Sequence, residues 1–140
     1  MARRLGDILL DRGWIDEPAL DRALADQRSG RGRLGTLLLA RGLISRDQLG
    51  EAFADQFEVP FRALTPNRVH PQLPRLLPEP FARGRELAPV ELDGGTVILA
   101  MTAPDDMEAL SEVELMTGYR VEPVICLADE LLAVLDRAFD

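Results

Sequence analysis

The chain has 140 residues, 46% of them apolar, and a net charge of −8, enough apolar material for one domain or two small packed subdomains. No apolar run approaches the roughly 20 residues of a bilayer-spanning helix, and Met1-Ala2-Arg3-Arg4 leads into an amphipathic segment rather than a signal peptide, so no membrane insertion is expected. All sixteen basic residues are arginine, which excludes Walker A, Schiff-base and kinase-type lysines, and the single Cys126 excludes an internal disulfide or cysteine metal cluster and fits a reducing, cytoplasmic setting.

Two copies of a 24-residue pattern open the chain, Arg4–Gln27 and Arg33–Gln56, with Arg28-Ser29-Gly30-Arg31-Gly32 between them. They share Arg4/Arg33, Leu5/Leu34, Gly6/Gly35, Leu9/Leu38, Leu10/Leu39, Arg12/Arg41, Gly13/Gly42, Ile15/Ile44, Leu20/Leu49, Ala23/Ala52, Ala25/Ala54, Asp26/Asp55 and Gln27/Gln56. Each copy reads as two short helices joined by a glycine. Leu5, Ile8 and Leu9 have i, i+3, i+4 spacing, and Gly13 stands where a helix ends in a left-handed residue. Asp16 can cap the next helix, with Pro18 in its first turn, and Leu20, Ala23, Leu24 and Gln27 share a face. In the second copy Gly42 ends one helix and Ser45-Arg46-Asp47-Gln48 is a capping box for the next.

After Phe57 the pattern stops. Val59-Pro60-Phe61 and Thr65-Pro66-Asn67 read as extended and turn segments, and His70–Arg85, with four prolines, as one or two short broken helices. Leu87–Leu92 and Thr96–Met101 read as strands joined by an Asp93-Gly94-Gly95 turn. Asp105–Met116 is a predicted helix ended by Gly118. Arg120–Leu127 is a third strand, pushed by Pro123 toward an edge or a bulge, and Asp129–Phe139 is a closing amphipathic helix. The expected fold is α+β: an all-helical tandem repeat of two helix pairs over residues 1–61, then an αββαβα subdomain over 62–140.

Charge divides along the same line. Through Arg62 ten arginines balance ten acids, whereas the remainder carries six arginines and fourteen acids. Without a basic stripe, duplex DNA and RNA are poor partners, but a small anion in the balanced half stays open. Catalytic candidates are scarce. His70, the only histidine, has no evident partner, and Cys126 in an apolar strand reads as a small buried hydrophobe. Asp105, Asp106, Glu108, Glu112 and Glu114 read as a solvated helix whose first-turn acids complement the macrodipole. No enzyme activity, cofactor or metal is expected.

The repeats are the candidate site. A packing unit has reason to keep leucines and glycines, but not an arginine at its first position and a glutamine at its last. Gln27 and Gln56 fall on or beside the expected buried face, where an amide without a partner costs about 1–3 kcal/mol. Arg4 and Arg33 precede helix N-termini, where backbone N–H groups attract anions, and Gly6 and Gly35 would permit close approach of a ligand. A guanidinium can meet a phosphate or the O6/N7 edge of guanine in two parallel bonds. Leu5, Leu9, Leu34 and Leu38 could supply apolar surface beside a base. Equally, arginine and glutamine could serve only to cap helices and tie the repeats together.

The motif Arg-Leu-Gly-x2-Leu-x3-Gly-x-Ile-x4-Leu-x2-Ala-Leu-x2-Gln, repeated after a five-residue spacer, resembles the MshEN domain, the N-terminal domain of type II secretion and type IV pilus assembly ATPases. Ala100–Asp106 and Met116–Val124 resemble junctions of its second subdomain. The resemblance implies binding of cyclic di-GMP by Arg4, Leu5, Gly6, Leu9 and Gln27 in one motif and by Arg33, Leu34, Gly35, Leu38 and Gln56 in the other. Phe53 departs from the motif, which prefers leucine there. The family's P-loop motor domain has no counterpart here, so the chain is either a stand-alone domain or part of a longer protein. The implied role is a non-enzymatic cyclic di-GMP receptor that regulates a secretion or pilus ATPase or another partner. Two alternatives are a nucleotide-independent adaptor docking on a membrane-associated secretion component, and recruitment of a basic partner by the acidic half.

Overall fold

The computed structural model describes residues 4–30 and 33–140; the Met1-Ala2-Arg3 opening and the spacer residues Arg31 and Gly32 lie outside the described residues. Within them the chain divides into two compact units, Met1–Glu58 and Val59–Asp140. The boundary falls three residues before the sequence-based one at 61, because the intervening residues pair with the second unit. Phe61 forms a parallel bridge with Ile125, flanked by Ile125 N donating to Pro60 O at 2.8 Å and Arg62 N donating to Ile125 O at 2.9 Å.

The first unit is helical, with α1 at Leu5–Asp11, α2 at Glu17–Arg28, α3 at Leu34–Ala40 and α4 at Arg46–Phe57. Local chemistry sets each end. Helices α1 and α3 close identically: Gly13 N donates to Leu10 O and Trp14 N to Leu9 O, while Gly42 N donates to Leu39 O and Leu43 N to Leu38 O, all at 3.0–3.1 Å. These 5→2 and 6→1 bonds form the Schellman motif, and the positive φ of Gly13 (71°) and Gly42 (68°) is what it requires. Helix α2 starts where Asp16 accepts from Ala19 N at 2.9 Å. Helix α4 starts with both bonds of the Ser45/Gln48 capping box.

The second unit opens with two 3-10 turns, Pro66–Arg68 and Pro74–Leu76, followed by α5 at Glu79–Arg85. Strands β1 (Leu87–Asp93), β2 (Thr96–Met101) and β3 (Arg120–Ile125) form one sheet in that order. The β1–β2 pair is antiparallel, joined through Gly94 at φ 59°, the left-handed position a two-residue hairpin loop needs. The β2–β3 pair is parallel, connected by α6 at Met107–Thr117, and α7 at Ala128–Phe139 closes the chain. The unit is α+β in the expected αββαβα order. Pro123 stands on the edge strand β3, and the bulge lies instead in β1, between Pro89 and Glu91. Both strand prolines thus occupy edges, and the central β2 keeps an unbroken set of N–H donors.

Both faces of the sheet are covered. Ala88, Val90, Ile98, Ala100, Val124 and Cys126 pack with Leu131, Val134 and Leu135 of α7. On the other face Leu87, Leu99 and Met101 pack with Ala109 and Val113 of α6. Single-residue alternation along β2 explains the division: Ile98 and Ala100 point one way, Leu99 and Met101 the other.

Cys126 is 1% exposed. Burial, reinforced by the carboxylates of Glu130 and Glu86, pushes its pKa up to about 12. Because the thiolate is the nucleophile, the folded protein should resist alkylation by iodoacetamide at pH 8 and react promptly in denaturant; mass spectrometry reads both. The pKa is raised on folding, so this group's contribution to stability is complete below about pH 9 and declines as pH rises toward 12.

Candidate functional site

The two repeats interlock. Helix α1 packs on α4, and α2 on α3, so each repeat completes the other. Ion pairs repeat the exchange: Arg12 of the first copy lies 3.4 Å from Asp55 and 3.6 Å from Glu51 of the second, and Arg41 of the second pairs with Asp26 of the first. Arg12/Arg41 and Asp26/Asp55 are among the residues common to both copies, and this reciprocal tie accounts for them. Arg12 also stands 5.0 Å from the centre of the Trp14 ring. The pairs are part-exposed, so each contributes on the order of 0.2–1 kcal/mol; their specificity lies in register.

The glycines serve the packing. Gly6 and Gly35 are buried. A methyl group on Gly6 would lie 3.1 Å from Leu20 Cδ2, and on Gly35 it would lie 3.2 Å from Leu49 Cδ1 and from Phe53 Cζ. These glycines therefore have a packing role of their own: their missing side chains face their own repeat's second helix. Leu9 and Leu38 are both 0% exposed, so they form the floor beneath the surface and do not themselves present apolar area to a base. Leu5 is also buried, and Leu34 is half-buried.

The polar ends lie at the surface. Arg4 and Arg33 are exposed N-cap residues of α1 and α3 in extended conformation, and neither caps its helix through its side chain. Gln27 is exposed near the end of α2, and Gln56 is half-buried near the end of α4. The expected desolvation cost is thus corrected for Gln27, where the helical face turns away from the core, while Gln56 keeps part of it; no described polar side chain is fully buried. In the second repeat the contact of Gly35 with Phe53 brings the start of α3 against the helical turn that precedes Gln56.

Among the described residues no other cluster competes. His70 is exposed and accepts from Gln72 N through Nδ1 at 3.2 Å. In the acidic segment Asp106 caps α6 by accepting from Ala109 N at 3.1 Å. Arg85 lies 3.1 Å from Asp106, 3.4 Å from Glu112 and 3.8 Å from Glu108, and these acids raise its pKa further. Among the described residues no group of three or more His, Cys, Asp or Glu could hold a metal ion. A hollow of about 860 Å³ in the second unit, lined by Thr96, Ser111, Glu114, Leu115, Tyr119 and Arg120 among others, contains no motif residue. No described helix is long and apolar enough to cross a membrane.

The sequence profile of the MshEN domain matches residues 57–140. The chain belongs to this family. MshE, solved with cyclic di-GMP, superposes with a TM-score of 0.74 at 32% identity, covering 98% of this chain and 99% of that one. The N-terminal domain of XpsE gives 0.61 at 26% identity over 98% of each chain. Among curated relatives, the type IV pilus assembly ATPase PilB of Myxococcus xanthus is 28% identical over 139 residues, and that of Thermus thermophilus 36% over 123. These matches take in 99% and 86% of this chain but only 25% and 14% of the relatives' lengths. The MshEN profile covers the α+β half, while the MshE superposition extends the relationship to the tandem repeats.

Two roles in this MshEN domain escaped the sequence pattern. The Arg12–Asp55 and Arg41–Asp26 ties were visible as repeated residues, yet only the crossed pairing of helices shows what they do. The structural duty of Gly6 and Gly35 was likewise hidden, since a glycine specifies no neighbour.

That duty can be tested. Gly35→Ala gains about 1 kcal/mol of helix propensity but overpacks against buried Leu49, which costs about 1–3 kcal/mol. The net should be a loss of about 1 kcal/mol in urea denaturation followed by Trp14 fluorescence. Gly84 in α5 has nothing within 4 Å of an added methyl group, so Gly84→Ala should stabilise its unit by about 0.5–1 kcal/mol, read by circular dichroism.

Proposed function

We propose that this MshEN domain is a non-enzymatic cyclic di-GMP receptor whose two repeats supply two half-sites. The observation that carries the reading is the structural match to MshE, solved with cyclic di-GMP, over 98% of the chain at 32% identity, combined with retention of arginine and glutamine at both ends of both repeats. The ligand is a two-fold dinucleotide dianion, and a pseudo-symmetric pair of helix pairs presents equivalent groups to its halves.

In this reading Arg4 and Arg33 meet guanine edges or phosphates through their guanidinium forks. Gln27 and Gln56 offer amide donors and acceptors. Leu5-Gly6 and Leu34-Gly35 form the adjoining backbone, with Leu9 and Leu38 as the rigid floor below. The interlocked helices make the site one body: a ligand touching both repeats stabilises their mutual packing by mass action. The occupied domain then regulates a cytoplasmic pilus or secretion ATPase, or another partner of that machinery.

Calorimetry with cyclic di-GMP should show one dinucleotide per chain. Arg4→Ala, Arg33→Ala, Gln27→Ala and Gln56→Ala should each weaken binding, the arginine variants by about 1–3 kcal/mol, without lowering the thermal midpoint of the free protein. No heat at high-micromolar ligand with the unaltered chain would overturn the receptor reading in favour of a nucleotide-independent adaptor.

A further inference from the structure

The repeats share the arginines and glutamines at their ends but differ at two positions beside the second glutamine. Leu24 aligns with Phe53, and Arg28 with Phe57. Both phenylalanines are half-buried, with ring centres 6.4 Å apart and planes inclined at 46°. The Phe53 ring reaches the start of α3, its Cζ lying 3.2 Å from where a methyl group on Gly35 would sit; around Gly6 the three nearest atoms all belong to Leu20. An aromatic surface therefore runs from the Arg33-Leu34-Gly35 segment toward Gln56. The first repeat has nothing equivalent: Leu24 is aliphatic, and Arg28 folds back so that its Nε donates to Leu24 O at 3.3 Å.

We propose that Phe53 is a base-contacting affinity determinant that makes the second half-site the stronger of the two; this rests on the receptor reading above. A half-exposed ring wedged beside Gly35 offers a planar purine a π-face that leucine cannot. Phe57 is a positioning residue, its tilted ring restricting the orientations open to Phe53. A symmetric ligand thus meets an unsymmetric receptor. One guanine is held by arginine, amide and ring, the other by arginine and amide over an aliphatic surface.

The test uses the full chain and cyclic di-GMP, with dissociation constants from calorimetry and thermal midpoints for each free variant. Phe53→Leu restores the residue of the other repeat, so folding should be preserved while binding weakens about tenfold. Phe53→Tyr keeps the ring and should retain affinity within about twofold. Unchanged binding by Phe53→Leu overturns the inference and leaves the receptor reading intact. Equal weakening in both variants, accompanied by lowered midpoints, also overturns it, because Phe53 would then act through packing. Absence of binding by the unaltered chain overturns the receptor reading itself, and this inference with it.

Discussion

The interlocking of the two repeats is the constraint on which the helical unit depends. A seven-residue helix such as α1 is too short to persist alone in water, and a single helix pair buries little. Crossing α1 onto α4 and α2 onto α3 gives each short helix a partner from the other copy. Within each copy Gly6 and Gly35 bring no side chain to the contact between the first helix and the second, which lets these two approach closely. Arg12 with Asp55, and Arg41 with Asp26, then fix which helix meets which. These charges lie near the surface and add little energy, but slipping the register would separate all of them together.

That division of labour sharpens the functional reading. Once the leucines, glycines, Arg12/Arg41 and Asp26/Asp55 are assigned to packing, the repeated residues left at the surface are chiefly the arginines that precede α1 and α3 and the glutamines that end the motifs. Their value is positional. They sit on a scaffold whose pseudo-symmetry is enforced by its own core, so two matching sets of groups are held in place by the fold itself. In the proposed receptor such preorganisation would lower the entropy cost of binding. The aromatic pair Phe53 and Phe57 breaks the symmetry only in the second copy.

The α+β unit follows different rules. Its sheet is buried on both faces, and the proline-bearing strands occupy its edges. The acidity of this half is tempered locally: Arg85 faces three acids of the α6 segment, and Arg83 bridges Glu79 and Asp136. An acidic stretch that looks like an interaction surface in one dimension is therefore partly neutralised in three.

The sequence alone determined the order of the elements and many of the caps and turns that bound them, although β3 ends at Ile125 rather than at Leu127. Glycine at C′, Asp16 and Ser45 at N-caps, and the Gly94-Gly95 hairpin act through bonds spanning at most five residues, so their outcome is readable from neighbours. It also carried the tandem motif and the family resemblance, because identical polar residues at a fixed interval need no coordinates to be seen. Periodicity, however, names a face and not the surface it meets. Only the tertiary structure decided that α1 packs on α4, that Gly6 and Gly35 accommodate leucines, that Leu9 and Leu38 lie wholly inside, and that Gln27 stands in solvent. Burial is set by which distant segment covers a face, and that choice is made by all the contacts together rather than by any stretch of the chain.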